Sequence, residues 1–339
     1  MRRLVLSALI LLCGLLFLLF LVPSGQLLPE ALNAYYIGQP AAPLTLRATP
    51  YGLFLALGAA LASALYAVLS KGADKRNALP FCAASLALGI VLARAAYLLS
   101  NLSFYLYEAD GLAALRAWEG GMAMSGALLG GALCCAWFRK KGADTSPAAP
   151  AFALFVCFAR LGERAAGIGY GRDVAFEGFF SVMDTYGPVL DVSRIEALFA
   201  LMLCIALLGL RFAGRASKGD MAPLFFLLYG AAQILFESLR ADRHMIWGFV
   251  KAQQIFALLF AGAAAARLQG TKKRALLSLV PTALLAAVSF GIEKALDRLD
   301  IALPILYGAY FVVLCAYVFA ALRFRPRAAR AFTGCPPRP

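Results

Sequence analysis

Residues 50–70 read PYGLFLALGAALASALYAVLS, 21 positions without a charged side chain. As a helix rising about 1.5 Å per residue, this run is about 30 Å long, the thickness of the hydrocarbon core of a bilayer. Similar windows recur along the chain and predict spans at Leu4–Val22, Pro50–Ser70, Ala78–Leu99, Gly121–Phe138, Ala148–Ile168, Arg194–Phe212, Met221–Leu239, Gly248–Leu268, Ala275–Ile292 and Ala302–Leu322. The composition agrees: 62% of the 339 residues are apolar and 15% charged, against roughly 45–50% and about 25% in soluble domains. The chain therefore reads as an all-α integral membrane protein of about ten transmembrane helices.

The net charge of +14 would suggest nucleic acid as a partner for a soluble protein. Its distribution points elsewhere. With Met1 on the cytoplasmic side, alternate loops carry Lys71/Lys75/Arg76, Arg139/Lys140/Lys141, Arg211/Arg215/Lys218, Arg267/Lys272/Lys273/Arg274 and a basic tail, so that side holds 20 of the 32 Lys and Arg but only three acids, Asp74, Asp144 and Asp220. This is the positive-inside pattern, and it argues against nucleic acid binding. Both termini are expected in the cytoplasm. The first apolar run, 19 residues long and without a clear A-x-A site after Val22, reads as a retained anchor rather than a cleaved signal. The eight cysteines show no CxxC or other metal-ligand spacing, and seven fall in predicted spans. They read as small buried apolar residues, and no metal or cofactor is implied.

The two long outer segments are Pro23–Thr49 and Gly169–Asp191, the second being rich in Gly, Asp and aromatics. A loop of that size is more often functional than a passive connector. Charged side chains inside spans are costly and mark functional sites by default. Placed by depth, Arg94, Arg160, Glu163, Arg194, Glu196, Glu237, Arg240 and Lys251 all fall in the outer half of the predicted bilayer, with Tyr51, Ser125 and Gln254. Together they describe a polar cavity facing the outer leaflet. Arginine stays ionised and offers a planar fork of donors that matches phosphate oxygens, so Arg94, Arg160 and Arg240 point to an anionic phospholipid headgroup. The acids would hold the arginines in the empty site or accept protons. Simpler explanations compete at some positions. Arg194, Glu196 and Lys251 sit at helix starts, where snorkelling is cheap, and Glu237 with Arg240, three apart, has the spacing of an i,i+3 ion pair.

The contexts of these residues resemble the bacterial prolipoprotein diacylglyceryl transferase family. Tyr51-Gly52-Leu53 is similar to the family's Y-G-L, and Ala93–Tyr97 to G-R-[IL]-G-Y. Trp118–Gly130 resembles W-[DE]-G-G-M-S-F-H-G-G-L-I-G. Ala159–Glu163 resembles G-R-[IL]-G-N, and Tyr170-Gly171-Arg172 its closing W-G-R. Glu196 stands at the end of P-[ST]-Q-L-Y-E, Phe236–Arg240 resembles V-E-F-x-R, and Gln254-Ile255 the G-Q-I that follows.

This resemblance implies a seven-helix core over residues 50–268. An anchor helix and outer segment (1–49), two additional helices (269–325) and a disordered basic tail (326–339) lie outside it. It also implies transfer of diacylglycerol from phosphatidylglycerol to the thiol of a lipobox cysteine in a preprolipoprotein, with release of glycerol phosphate. Carried over, Arg160, Arg240, Glu163 and Ser125 stand at catalytic positions. Tyr51, Arg94, Glu196, Glu237, Gln254, Tyr170 and Arg172 stand at substrate-binding ones.

The chain departs from the pattern where acid–base chemistry is expected. Ser125 replaces the family's histidine, Glu163 its asparagine, Ile168 a later acid, and Asp191–Glu196 reduces the H-P-[ST]-Q-L-Y-E block. His244, the single histidine, lies four residues after Arg240 and would share its face if the helix continued, which makes it a candidate substitute base. A non-catalytic lipid-binding protein on the same scaffold is the alternative reading. A transporter is disfavoured, because paired interrupted helices in matching halves are absent. The topology is checked with reporter fusions: a fluorescent protein at the C-terminus should fluoresce, and alkaline phosphatase inserted between Gly169 and Asp191 should be active. The reverse pattern would overturn it.

Overall fold

The computed structural model describes residues 21–23, 46–48, 50–72, 74–107, 114, 121–184, 186–241, 246–247, 250–298 and 303–323. The protein is an all-α membrane protein. Its helices are α1 (Pro50–Leu69), α2 (Asp74–Ser100), α3 (Leu102–Tyr107), α4 (Met124–Lys140), α5 (Ala148–Ala165), α6 (Val192–Phe212), α7 (Met221–Leu239), α8 (Ala252–Leu268), α9 (Lys272–Leu277), α10 (Leu279–Arg298) and α11 (Leu303–Arg323). Every predicted span after the first overlaps one of these, but Ala275–Ile292 begins in α9 and continues in α10, and Val250 and Lys251 of Gly248–Leu268 are extended rather than helical. Most of the first lies outside the described residues. Its last two, Leu21 and Val22, are not helical: they belong to strand β1 (Leu21–Pro23), paired antiparallel with β2 (Leu46–Ala48), where the ladder satisfies the backbone.

Among the described residues six segments are long and apolar enough to cross a membrane: α1, α2, α6, α7, the α9–α10 run (Lys272–Leu296) and α11. Helix α5 is set apart by Arg160, Glu163 and Arg164 in its last turns, while α4 and α8 are 17 residues each. Large apolar side chains recur on outward faces: Leu53, Leu57 and Leu61 on α1, and Ile305, Val312 and Phe319 on α11, are exposed. Helical spacing of such residues is an amphipathic stripe turned outward, as surrounding acyl chains require.

The chain divides into two compact units. The first comprises residues up to Ile205 together with Leu239–Met245. Within it α1 packs on α5 and α2 on α4, and glycines permit both approaches. A Cβ on Gly58 would lie 2.6 Å from the Phe158 Cβ, and one on Gly162 would lie 2.9 Å from the Phe54 Cβ and 3.0 Å from the Tyr51 ring. A Cβ on Gly126 would collide with the Leu92 carbonyl, and one on Gly130 would lie 2.7 Å from the Gly89 nitrogen. This is close packing through small residues four apart, which in lipid substitutes for the hydrophobic drive lacking between helices. Arg139 and Lys140 close the last turn of α4, complementing the helix dipole, and the Lys141 ammonium sits 4.8 Å from the Trp137 ring centroid.

The same unit contains the hairpin β3 (Ser181–Asp184) and β4 (Gly187–Leu190), with Ser181 opposite Leu190. The second unit spans Ala206–Ser238 and Ile246–Pro339 and includes the two-residue strands β5 (Ile246–Trp247) and β6 (Val250–Lys251). In it α10 and α11 pack on each other and on α8. Polar bonds hold this unit together: the Tyr307 hydroxyl of α11 donates to the Ser238 carbonyl of α7 at 3.0 Å, the Gln269 amide to the Ala321 carbonyl at 3.2 Å, and the Thr282 and Tyr317 hydroxyls are 3.0 Å apart.

Gly126→Val should lower stability by about 1–3 kcal/mol through forced separation of α2 and α4, read from thermal unfolding in detergent. Gly209→Ala, with open space around it, should change stability by less than about 1 kcal/mol, in the stabilising direction.

Candidate functional site

Helix α5 presents Arg160 and Glu163 three residues apart, hence on one face, and both are buried. Glu196, five positions into α6, is fully inaccessible, and Arg240, just past α7, is 7% exposed. These four side chains close a ring of alternating charge. Arg160 Nη1 is paired with Glu163 Oε1, and Arg160 Nε with Glu196 Oε1 at 2.6 Å. Arg240 Nη2 lies 2.7 Å from Glu163 Oε2 and 3.0 Å from Glu196 Oε2. Each guanidinium touches both carboxylates and each carboxylate both guanidiniums, so the formal charge of the ring is zero.

Local structure explains how residues 77 positions apart meet. The α7 helix ends at Leu239 because the next backbone is taken up elsewhere: Arg240 forms an antiparallel bridge with Gly171, and the Ala241 amide donates to the Tyr170 carbonyl at 3.0 Å. The Gly171 amide in turn donates to Leu190 O at 2.7 Å, and the Leu190 amide to Arg172 O at 2.9 Å. Segment 170–172 is thereby stitched between the β-hairpin and Arg240. Since the helix does not continue through Arg240, the shared helical face expected for Arg240 and His244 does not form. His244 itself lies outside the described residues.

Gly169 completes the fit. Its φ of +76° favours glycine, and a Cβ there would lie 2.6 Å from Ser193 Oγ, 3.1 Å from Arg240 Nη1 and 3.2 Å from Glu163 Oε2. The Ser193 hydroxyl donates toward the carbonyls of Ile168 and Gly169 at 3.2 and 3.1 Å, tying the start of α6 to the end of α5. Asp191, with no exposed surface, caps α6: its Oδ1 accepts from the Arg194 amide at 3.0 Å. Its Oδ2 pairs with Arg164 at 2.7 Å and Arg194 at 3.0 Å. Arg194 also donates to the Phe179 carbonyl and lies over the Phe179 ring, 4.6 Å from its centroid. Sequence reasoning singles out none of Asp191, Gly169 and Ser193 as a site residue. The legible signal was an Asp just before an apolar helical run, the usual N-cap pattern. Burial and then the Asp191 carboxylate push the Tyr170 phenol up from its ordinary pKa, which keeps it a neutral hydrogen-bond donor.

Tyr51 packs against Gly162 and is within electrostatic reach of Glu163, Arg160 and Arg240. It also lines an apolar cavity of about 130 Å³ between α1, α2, α4 and α5. Other candidates have their own surroundings. Arg94 donates to the carbonyls of Ala114 and Gly121, both at 3.1 Å, and its guanidinium carbon is 5.9 and 5.7 Å from the ring centroids of Tyr97 and Tyr105. It thus ties Ala114 and Gly121 to α2. The Ser125 hydroxyl, at the start of α4, is buried without a hydrogen-bond partner among the described residues.

Glu237 and Gln254 belong to the second unit. The Gln233 amide donates to Glu237 at 2.8 Å, and the Gln254 amide to Glu293 at 2.6 Å and to Ile234 O at 3.4 Å. Gln254 also accepts from the Lys251 amide at 3.1 Å, closing the N-terminus of α8. Of the cysteines described, five are buried and Cys315 is exposed, so the reading of buried small residues fails for Cys315, which sits on the outward face of α11.

Removing one member of the ring strands its partner. Glu196→Gln should destabilise the protein by about 3–5 kcal/mol, the cost of breaking a buried pair from one side. Arg164→Gln should cost within about 1 kcal/mol, since its side chain is 39% exposed. Thermal unfolding in detergent distinguishes the two.

Residues 41–268 match the family model for prolipoprotein diacylglyceryl transferase. Among similar proteins are the phosphatidylglycerol–prolipoprotein diacylglyceryl transferases of Thermotoga maritima and Thermotoga petrophila, each 31% identical over 189 residues. Each alignment covers 50% of this chain and 62% of the relative, so the chain spans less than two thirds of their length.

Proposed function

The chain belongs to the prolipoprotein diacylglyceryl transferase family, and on that premise we propose that it transfers diacylglycerol from phosphatidylglycerol to the thiol of a lipobox cysteine. The observation that carries this reading is the buried ring of Arg160, Glu163, Glu196 and Arg240 beside Tyr51. Two guanidiniums face one point from different segments of the chain, and a phosphate diester offers oxygens that match their donor forks.

The ring's neutrality shapes the mechanism. A phosphate entering between Arg160 and Arg240 competes with Glu163 and Glu196 for the same N–H donors. A carboxylate displaced from its arginine regains basicity, because the opposite charge that held it ionised has a new partner. That carboxylate takes the proton of the acceptor thiol, which near neutral pH is only a few per cent ionised. The thiolate attacks the glyceryl carbon bonded to the phosphate oxygen. The S–C bond forms, the C–O bond breaks, and its electron pair leaves on glycerol phosphate. Arg160 and Arg240 stabilise the departing charge, usually the largest contribution to such catalysis. The proton on the glutamate is then lost to water or to the phosphate. Tyr51 and Tyr170 supply neutral donors at the edge of the site, and Arg172 and Ser193 hold its backbone frame.

In this reading residues 50–268 form the transferase core, 1–49 an anchor and outer segment, 269–325 two additional helices, and 326–339 a basic tail. The protein resides in the bacterial cytoplasmic membrane with both termini inside and the site toward the outer leaflet, where phosphatidylglycerol and the emerging preprolipoprotein meet.

One observation favours a second reading, a phospholipid-binding protein without turnover. Ser125, at the position of the family's histidine, is buried and its hydroxyl has no hydrogen-bond partner among the described residues. Purified protein should release glycerol phosphate from phosphatidylglycerol only when a lipobox peptide is added, with loss of at least about 100-fold in Arg160→Ala and Arg240→Ala, the scale of losing one charge-stabilising donor. His244→Ala should retain activity if a ring carboxylate is the base. Specific binding of phosphatidylglycerol without release under any peptide would favour the second reading.

A further inference from the structure

The apolar cavity of the first unit has a shape that the transferase chemistry does not require. One end is at Tyr51, next to the charged ring. The other is at Tyr66 and Phe81, whose rings stack at 4.3 Å and 9°, with Phe138 edge-on to Phe81 at 5.4 Å. The Tyr66 hydroxyl donates to the Asp144 carbonyl at 3.5 Å, which fixes this floor from the far side. Tyr51 and Tyr66 are on the same helix, so the cavity extends about 22 Å along α1 at 1.5 Å per residue. Its walls are kept back by small residues: Ala59 and Ala62 on α1, Gly89 on α2, Ala127 and Gly131 on α4. At the roughly 10–15 Å³ that one water-sized group needs, 130 Å³ holds on the order of ten groups in file, and a methylene is of similar size.

Running along α1 and lined almost wholly by apolar side chains, such a slot has too few polar partners to retain water. We infer that it holds one acyl chain of the phospholipid, and that the Tyr66–Phe81 floor sets the longest chain accepted. Polar ring and apolar slot then form one amphipathic site, head at Arg160 and Arg240, tail along α1 toward Tyr66. This rests on the reading of the ring as a headgroup site but is testable apart from it. The slot selects by fit rather than by hydrophobic transfer, since acyl chains in the bilayer are already out of water.

The test uses the full chain in nanodiscs containing equal amounts of dilauroyl-, dipalmitoyl- and distearoyl-phosphatidylglycerol, with bound lipid quantified by native mass spectrometry. Ala62→Leu fills the slot and should lower the retained ratio of distearoyl to dilauroyl lipid by about tenfold, the scale of a misfitted methylene or two in an apolar pocket. Phe81→Ala opens the floor and should raise the same ratio. Opposite signs separate a length limit from general loosening, and either variant decides the matter if the other does not fold. A parallel arm with diacylglycerols of the same chains removes the phosphate. A shifted chain profile there, with no glycerol phosphate release in the activity assay, keeps the slot and sinks the transferase reading. Turnover with an unchanged profile in both folded variants overturns the slot.

Discussion

Two guanidiniums and two carboxylates enclosed where water does not reach must neutralise one another. The ring of Arg160, Glu163, Arg240 and Glu196 meets that constraint with each charge touching two of opposite sign. The surroundings serve the same end. Helix α5 can carry Arg160 and Glu163 on one face because α6 delivers Glu196 to it, and α6 is held in place by the Asp191 cap and the Ser193 hydroxyl. Arg240 arrives through a backbone bridge to Gly171 rather than from a helix face. Only glycine at 169 leaves room between Ser193, Arg240 and Glu163.

A neutral ring differs from an open cluster of arginines. An exposed cationic pocket would attract any anion, whereas here a ligand must offer oxygens good enough to displace a carboxylate already in contact. On the proposed function the site would discriminate by exchange: a poorly placed anion would leave a buried charge without a counterion, which is costly in a medium of low dielectric. The same exchange would link recognition to acid–base chemistry, since the group displaced would be the group that becomes basic. A site in which Ser125 replaces histidine can retain a proton acceptor by this route.

Around the ring, packing follows the logic of lipid-embedded helices. Gly58, Gly126, Gly130 and Gly162 let backbones approach where the hydrophobic effect supplies no drive, while larger apolar residues turn outward. The small side chains that allow close pairing at some levels leave an apolar cavity at others, lined by α1, α2, α4 and α5 with the Tyr66–Phe81 stack among its lining. Arg94 shows the other use of a buried cation. Among its partners are two carbonyls and two tyrosine rings, so it also satisfies backbone acceptors.

Spans and charge bias were legible without coordinates, because bilayer thickness imposes a length and composition that any window of sequence reveals. The ends of α1, α2, α6, α7 and α11 fall within a few residues of the hydropathy limits for that reason, and the spacing of Arg160 and Glu163 already placed them on one face. What hydropathy could not supply was partnership. That Glu163 and Glu196 both bind Arg240, that α7 stops before Arg240, and that Gln254 bonds Glu293 of an additional helix all depend on segments far apart in the chain. Periodicity reports which side of a helix is polar. It does not report which polar side chain, brought from 36 or 77 positions away, will complete the neutralisation, because that choice is made by backbone paths through Gly169, Gly171 and Asp191 that leave almost no trace in local composition.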